Sequence, residues 1–191
     1  MIDSTSLRAA AWHRPDSGAR RGVTLVELLI VIVVIGILSG VAASRLDWGA
    51  YRADATSRAV MAELANAQRR AVSLQEDVEV ILPDSLHLQV HDDANNNGSI
   101  EAGERLRTVP LDDGFVFSQG SAPAVPAPAN PTPLTLIVFR RDGSASHSGT
   151  LYLSDGSYDP ACKHCRAVSV ARATGRATWY SYATGGWQRA N

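Results

Sequence analysis

The chain has 191 residues, room for one ordinary domain rather than two. Lys and Arg total 18 against 19 Asp and Glu, which argues against a generally basic nucleic-acid binder while leaving room for a local basic patch. Two cysteines exclude a disulfide-dense scaffold and a four-cysteine zinc module.

The apolar residues are clustered, and the first cluster sets the class. Residues 1–22 carry Arg8, Arg14, Arg20 and Arg21 against Asp3 and Asp16. Val23 to Ala43 then reads VTLVELLIVIVVIGILSGVAA, with Glu27 its single charge. A helix of that length covers about 30 Å, the hydrocarbon thickness of a bilayer. Under the positive-inside tendency the N-terminus stays in the cytoplasm and the remainder is exported. The run is too long for the core of a cleaved secretory signal. A plain single-pass anchor fits the length but leaves Glu27 unexplained, since a carboxylate in an apolar span costs about 2.5–3.5 kcal/mol at the helix centre.

Gly22-Val23-Thr24-Leu25-Val26-Glu27, preceded by Arg20-Arg21, resembles the prepilin cleavage motif of type IV pilins and type II secretion pseudopilins. The resemblance implies that a prepilin peptidase cuts after Gly22, so that residues 1–22 are a leader and the mature chain starts at Val23 with a methylated amine. It also implies that Glu27 meets the N-terminal amine of a neighbouring subunit, which offsets the buried charge. Val23 stands where the family usually has Phe. Ser44 stands where many pilins have a kinking Pro.

The next stretch has no Gly or Pro from Ala50 to Gln75, and Val60, Leu64, Ala67, Ala71 and Leu74 recur at steps of three and four. That is an amphipathic helix, with Arg58, Arg69 and Arg70 off its apolar face. The expected picture is one helix from Val23 to about Gln75. Residues 23–49 lie in the membrane or filament core and 50–76 pack on a sheet, with Gly49 softening the junction.

From Val78 the period changes to two. Val78 to Leu82 and Leu86 to Val90 read as paired strands. Further strands are expected at Arg105 to Val109, Phe115 to Ser118, Leu134 to Phe139, Thr150 to Leu153, Ala167 to Ala171 and Arg176 to Tyr182. Leu134 to Phe139 reads as central, with Asp142-Gly143 turning the chain back so that Thr150 to Leu153 returns antiparallel. Gln119 to Pro133 holds five of the nine prolines and reads as an exposed, solvated spacer. The fold class is therefore α+β: a long N-terminal helix, transmembrane in its first half, packed on a small antiparallel β domain over 77–191.

Two later stretches narrow the resemblance to the GspH/FimT group of minor pseudopilins. They are Phe139-Arg140-Arg141-Asp142-Gly143 followed by Gly149-Thr150-Leu151, and Ala167-Val168-Ser169-Val170 with Thr174-Gly175-Arg176. The group implies a structural subunit that initiates or caps the pseudopilus of a type II secretion system or a type IV pilus. Its partners would be prepilin peptidase, other major and minor pseudopilins and the inner membrane, which it crosses once with its C-terminal domain in the periplasm.

Three constellations could carry chemistry. Asp93, Asn95, Asn97, Gly98, Glu101 and Glu104 fall at the diagnostic places of an EF-hand calcium loop. Strands rather than helices flank them, so the plainer reading is a hairpin loop bonded to its own backbone, and no cofactor is expected. Cys162-Lys163-His164-Cys165 lacks a second ligand pair for zinc, although His147 and His164 are in the chain, and it lacks the βαβ context of a redox centre. In an oxidising periplasm it reads as a disulfide closing a tight turn. Residues 160–191 hold Lys163, Arg166, Arg172, Arg176 and Arg189, no acid, and interleaved Trp179, Tyr180, Tyr182 and Trp187. That is the composition of a nucleic-acid surface, with Arg176 and Arg189 the candidate contacts. Some FimT-like minor pilins take up DNA through a Gly-Arg-x-Arg stretch, and here Gly175-Arg176-Ala177-Thr178 ends in Thr. A sheet with aromatic core positions and solvated arginines is the preferred reading, so nucleic acid is not an expected partner. Nothing resembles a hydrolase elbow, a P-loop or a dinucleotide fingerprint, so no enzyme activity is assigned.

Overall fold

The computed structural model describes residues 22–43, 47–111, 114–157, 159–183 and 185–190. The leader before Gly22 and the Ser44 position lie outside the described residues. Helix α1 (Leu25–Ala43) belongs to one unit, and the chain from Asp47 forms a second.

The second unit opens with α2 (Trp48–Leu74). A single unbroken helix through this region is not what forms. Asp47 sits at φ −83, ψ 87, outside helical geometry, and its Oδ1 accepts the Ala50 N–H at 3.0 Å. A short acceptor at that place satisfies an otherwise orphaned donor, which is why the helix starts afresh there. Gly49 has a packing role instead of a softening one: a Cβ there would lie 2.4 Å from the His164 ring. Val60, Leu64, Ala67 and Ala71 are buried as their spacing demands, whereas Leu74, in the last turn, is exposed.

Two four-stranded antiparallel sheets pack on α2. The first has the order β3-β2-β1-β4, with β1 (Asp77–Ile81), β2 (His87–Asp93), β3 (Arg105–Pro110) and β4 (Leu136–Phe139). The second runs β5-β6-β7-β8, with β5 (Gly149–Leu153), β6 (Arg166–Val170), β7 (Ala177–Ala183) and β8 (Gly186–Arg189). Val60 and Leu64 of α2 join Val78, Val80 and Phe139 from one sheet and Leu151, Val168 and Val170 from the other in a single core.

Four strand expectations change. Phe115 to Ser118 is no strand; Val116 makes one bridge to Ser154 while Phe115 is buried. The apolar run ending at Phe139 is an edge strand of its sheet. Its apolar character reads as central, and residues 132–134 just before it bond β5, with Leu134 N donating to Thr150 O at 3.0 Å and Thr150 N to Thr132 O at 2.9 Å. β5 does not return along β4 but starts the second sheet, paired with β6. The last hairpin, β7–β8, has no apolar alternation to announce it.

The proline-rich stretch is exposed over most of its length, as expected, but it is not a free spacer. It lies on the outer face of the second sheet, with Ala122 and Val125 buried. Trp187 Nε1 donates to Pro123 O at 2.7 Å, Val125 N to Tyr152 Oη at 3.2 Å, and Tyr152 O–H to Pro131 O at 2.9 Å. Prolines leave carbonyls free without offering N–H groups, so aromatic donors on β5 and β8 can hold the segment down.

Candidate functional site

The N-terminal segment carries the strongest functional signal. Thr24 Oγ1 accepts the Glu27 N–H at 3.2 Å and Thr24 O accepts Leu28 N–H at 3.1 Å, so Thr24 caps α1. Thr-x-x-Glu is the capping-box spacing, a signal legible in the sequence that motif reading alone passes over. Glu27 sits in the first helical turn, where a negative charge suits the helix dipole, and among the described residues no cation pairs with its carboxylate. α1 has a mean hydropathy of 2.8 and no buried residue. A helix this apolar, with no residue buried, suits a lipid or protein environment better than water. Gly22 has nothing within 4 Å of where a Cβ would stand. Among the described residues, nothing in the fold therefore demands glycine there.

The structure gathers Asp93, Asn95, Asn97, Glu101 and Glu104 in the β2–β3 connection, a hairpin loop. Asp93 accepts N–H groups from Asn97 (3.0 Å) and Gly98 (2.7 Å), and Asn95 and Asn97 amides donate to Glu101 at 3.0 and 2.9 Å. Glu104 accepts Ala94 N–H at 3.2 Å and Glu101 N–H at 3.0 Å. The oxygens are aimed at loop donors, and among the described residues no group of three or more His, Cys, Asp or Glu is placed to hold a metal ion.

The same loop covers a polar cluster that sequence reading misses. His91 and Glu79 stand opposite each other in the β1–β2 register, on the face away from Val90. His91 is fully buried, with Nε2 2.8 Å from Glu104 Oε2 and Nδ1 3.5 Å from Glu79 Oε2. Burial pulls its pKa down, but the two carboxylates outweigh burial and raise it. His91 in turn holds the Glu104 carboxyl below its ordinary value, aided by the Glu101 N–H. Glu79 in β1 and His91 in β2 are a cross-strand pair visible only once the register is known.

Cys162 and Cys165 form a disulfide packed on Ala122, Tyr182 and Trp187. His164 is engaged elsewhere, 2.9 Å from Asp155 and 3.3 Å from Asp47. His147 meets Ser146 Oγ at 2.8 Å.

The basic C-terminal residues do not form one patch. Arg166 is buried, with Nε 2.7 Å from Asp54 Oδ1 on α2. Arg172 shares a shallow hollow with Arg140. Arg176 and Arg189 do meet, in a depression of about 500 Å³ beside the proline-rich segment. The aromatics are used internally: Trp179 is buried beneath Arg58, whose Cζ lies 5.6 Å from the ring centroid, Tyr180 is buried, and Trp187 packs edge-on against Tyr182 at 5.3 Å.

Comparison with known families matches residues 18–43 to the prokaryotic N-terminal methylation motif and residues 56–175 to type II transport protein GspH. No curated protein gives a match. Among solved structures, the type IV minor pilin FimU of Pseudomonas aeruginosa is similar at 17% identity, covering 65% of this chain and 84% of that one with a TM-score of 0.44.

Proposed function

The chain belongs to the type II transport protein GspH family, and on that premise we propose that it is a minor pseudopilin that initiates or caps a fibre of a type II secretion system or a type IV pilus. In this reading a prepilin peptidase cleaves after Gly22, and Val23 becomes the methylated N-terminus. α1 holds the subunit in the inner membrane until it enters the fibre, and the β domain stands in the periplasm.

The observation that carries the proposal is the capped, wholly unburied apolar α1 with one acid in its first turn. Burying that face against other helices removes it from water, and a neighbour's N-terminal amine supplies the cation that Glu27 lacks. Gly36 and Gly40, four residues apart on α1 with open space around both, suit close helix approach. The deciding experiment combines N-terminal sequencing with fibre fractionation. The mature protein is expected to begin at Val23 and to co-sediment with fibres. Gly22→Ala is expected to stay full length in the membrane, and Glu27→Ala to be cleaved but left out of fibres. A mature chain starting after Ala43, or normal recruitment of Glu27→Ala, would sink the reading.

A DNA-binding minor pilin is the second reading, favoured by the meeting of Arg176 and Arg189. It ranks below the first because Trp179 and Tyr180 are buried and Arg166 is already paired.

A further inference from the structure

Two depressions lie between α2 and the edge strand β3. At the C-terminal half of α2 is a groove of about 460 Å³ lined by Asn66, Arg69, Arg70, Asp92, Arg105 and Arg107. Toward the N-terminal half of α2 is a mainly apolar hollow of about 270 Å³, walled by Ala59, Val60, Glu63, Val109 and Leu111. Arg107 of the groove pairs with Glu63 of the hollow, so an ion pair divides this two-part channel. Arg70 is paired with the largely buried Asp92, Nε to Oδ1 at 3.1 Å. Arg69 and Arg105 are exposed and have no carboxylate partner among the described residues; Arg69 donates only to Asn66. Four guanidiniums thus face two carboxylates in a chain whose net charge is −1. Among the described residues, the outer edge of β3 is bonded to no other strand.

We propose that this channel docks a segment of a neighbouring fibre subunit that carries carboxylates beside apolar side chains. The inference rests on the fibre-subunit reading above. Arg69 and Arg105 would take the carboxylates in forked hydrogen bonds, and the hollow by Val109 and Leu111 would take the apolar side chains. The free edge of β3 can add main-chain bonds to an extended segment. A nucleic-acid backbone suits the channel poorly, because its charge is continuous whereas half of the channel is apolar and Glu63 and Asp92 stand among the arginines.

The test uses the full-length protein in its own host. A photo-reactive benzoylphenylalanine replaces Arg105, and a charge-reversed variant carries Arg69→Glu with Arg105→Glu. The cross-linked product is expected to contain a second pilin-type subunit, joined at a peptide with Asp or Glu next to apolar residues. The charge-reversed variant is expected to be cleaved and to melt like wild type, because neither arginine holds an internal ion pair, yet to enter fibres about tenfold less. An Arg69→Lys, Arg105→Lys control is expected to be recruited within about twofold of wild type. Undiminished recruitment of the charge-reversed chain overturns the proposal, as does cross-linking to nucleic acid or to a peptide without carboxylates. If wild type itself is missing from fibres, the fibre-subunit reading fails; if wild type and the reversed variant are both present, only the docking surface fails.

Discussion

The side-chain amide of Gln68 on α2 donates to the carbonyl of Gly143, 75 residues further along the chain, at 2.7 Å, and to Thr174 O at 2.6 Å. Gly143 and Gly175 both adopt positive φ (82 and 62), and a Cβ on Gly175 would lie 2.4 Å from Gly143 O. The turns that carry Gly143 and Gly175 therefore meet under one helix side chain. Gly175→Ala combines a strained backbone with a steric conflict and is expected to destabilise by about 2–3 kcal/mol. Gln68→Ala, which leaves two carbonyls partly unsatisfied, is expected to cost about 1–2 kcal/mol. Denaturant unfolding of the detergent-solubilised chain measures both. A wild-type midpoint for Gly175→Ala would contradict the close approach.

The Glu79–His91–Glu104 cluster makes stability depend on pH. Both imidazole nitrogens face carboxylates, so the doubly protonated ring is the form the site holds. A histidine raised in the folded state contributes fully below its unfolded value, near 6.5, and that contribution is lost as pH rises through the higher folded value. Glu104, lowered in the folded state, contributes above its ordinary 4.5, and that contribution is lost as pH falls through the folded value. Thermal midpoints are therefore expected to be highest between about 4.5 and 6.5, and the advantage of wild type over His91→Gln to shrink from pH 6 to pH 9. An advantage that grows over that range would refute the assignment.

Periodicity made the apolar face of α2 and the β1–β2 and β6–β7 hairpins legible, because burial on one side of a helix or strand writes a repeat into the chain. The class of the N-terminal segment was equally readable, since a membrane-length apolar run with one acid has few explanations. What stayed hidden depends on contacts distant in sequence. The break at Asp47 turns on a local capping bond that an otherwise helical pattern overrides on paper. β8 has little to mark it, because a short edge strand covered on one side needs no alternation. The docking of the proline-rich segment depends on donors from Tyr152 and Trp187, far along the chain. The same holds for the C-terminal arginines: a composition count places Arg166 in a patch, and only the fold shows it spent on Asp54.

The β2–β3 loop is expected to hold its shape without calcium. Asp93 and Glu104 each accept two backbone N–H groups, so the loop is closed by its own bonds. Asp93→Ala is expected to cost about 1–3 kcal/mol in chelator. Adding 1 mM calcium to wild type is expected to leave the thermal midpoint unchanged. A ligand with a dissociation constant of about 0.1 mM would instead add about 1.4 kcal/mol at that concentration. A clear calcium-dependent rise, absent from Asp93→Ala, would establish a weak site of the kind found in extracellular modules.

DNA binding separates the two functional readings. Of the C-terminal basic residues, Arg176 and Arg189 share one surface depression, so that depression offers at most two phosphate contacts. Each neutralised phosphate of a duplex contributes about 0.9 to the slope of log affinity against log salt. The β domain is therefore expected to give little or no shift of duplex DNA near physiological salt. Any binding at low salt should have a slope no steeper than about two, and Arg176→Ala and Arg189→Ala should each reduce that slope by about one. Single strands gain little further, because Trp179 and Tyr180 are buried and the half-buried Trp187 packs edge-on against Tyr182. Micromolar binding at physiological salt, with a slope of about four or more that both substitutions weaken, would show that the depression is part of a larger contact surface. The DNA-uptake reading would then displace the structural one.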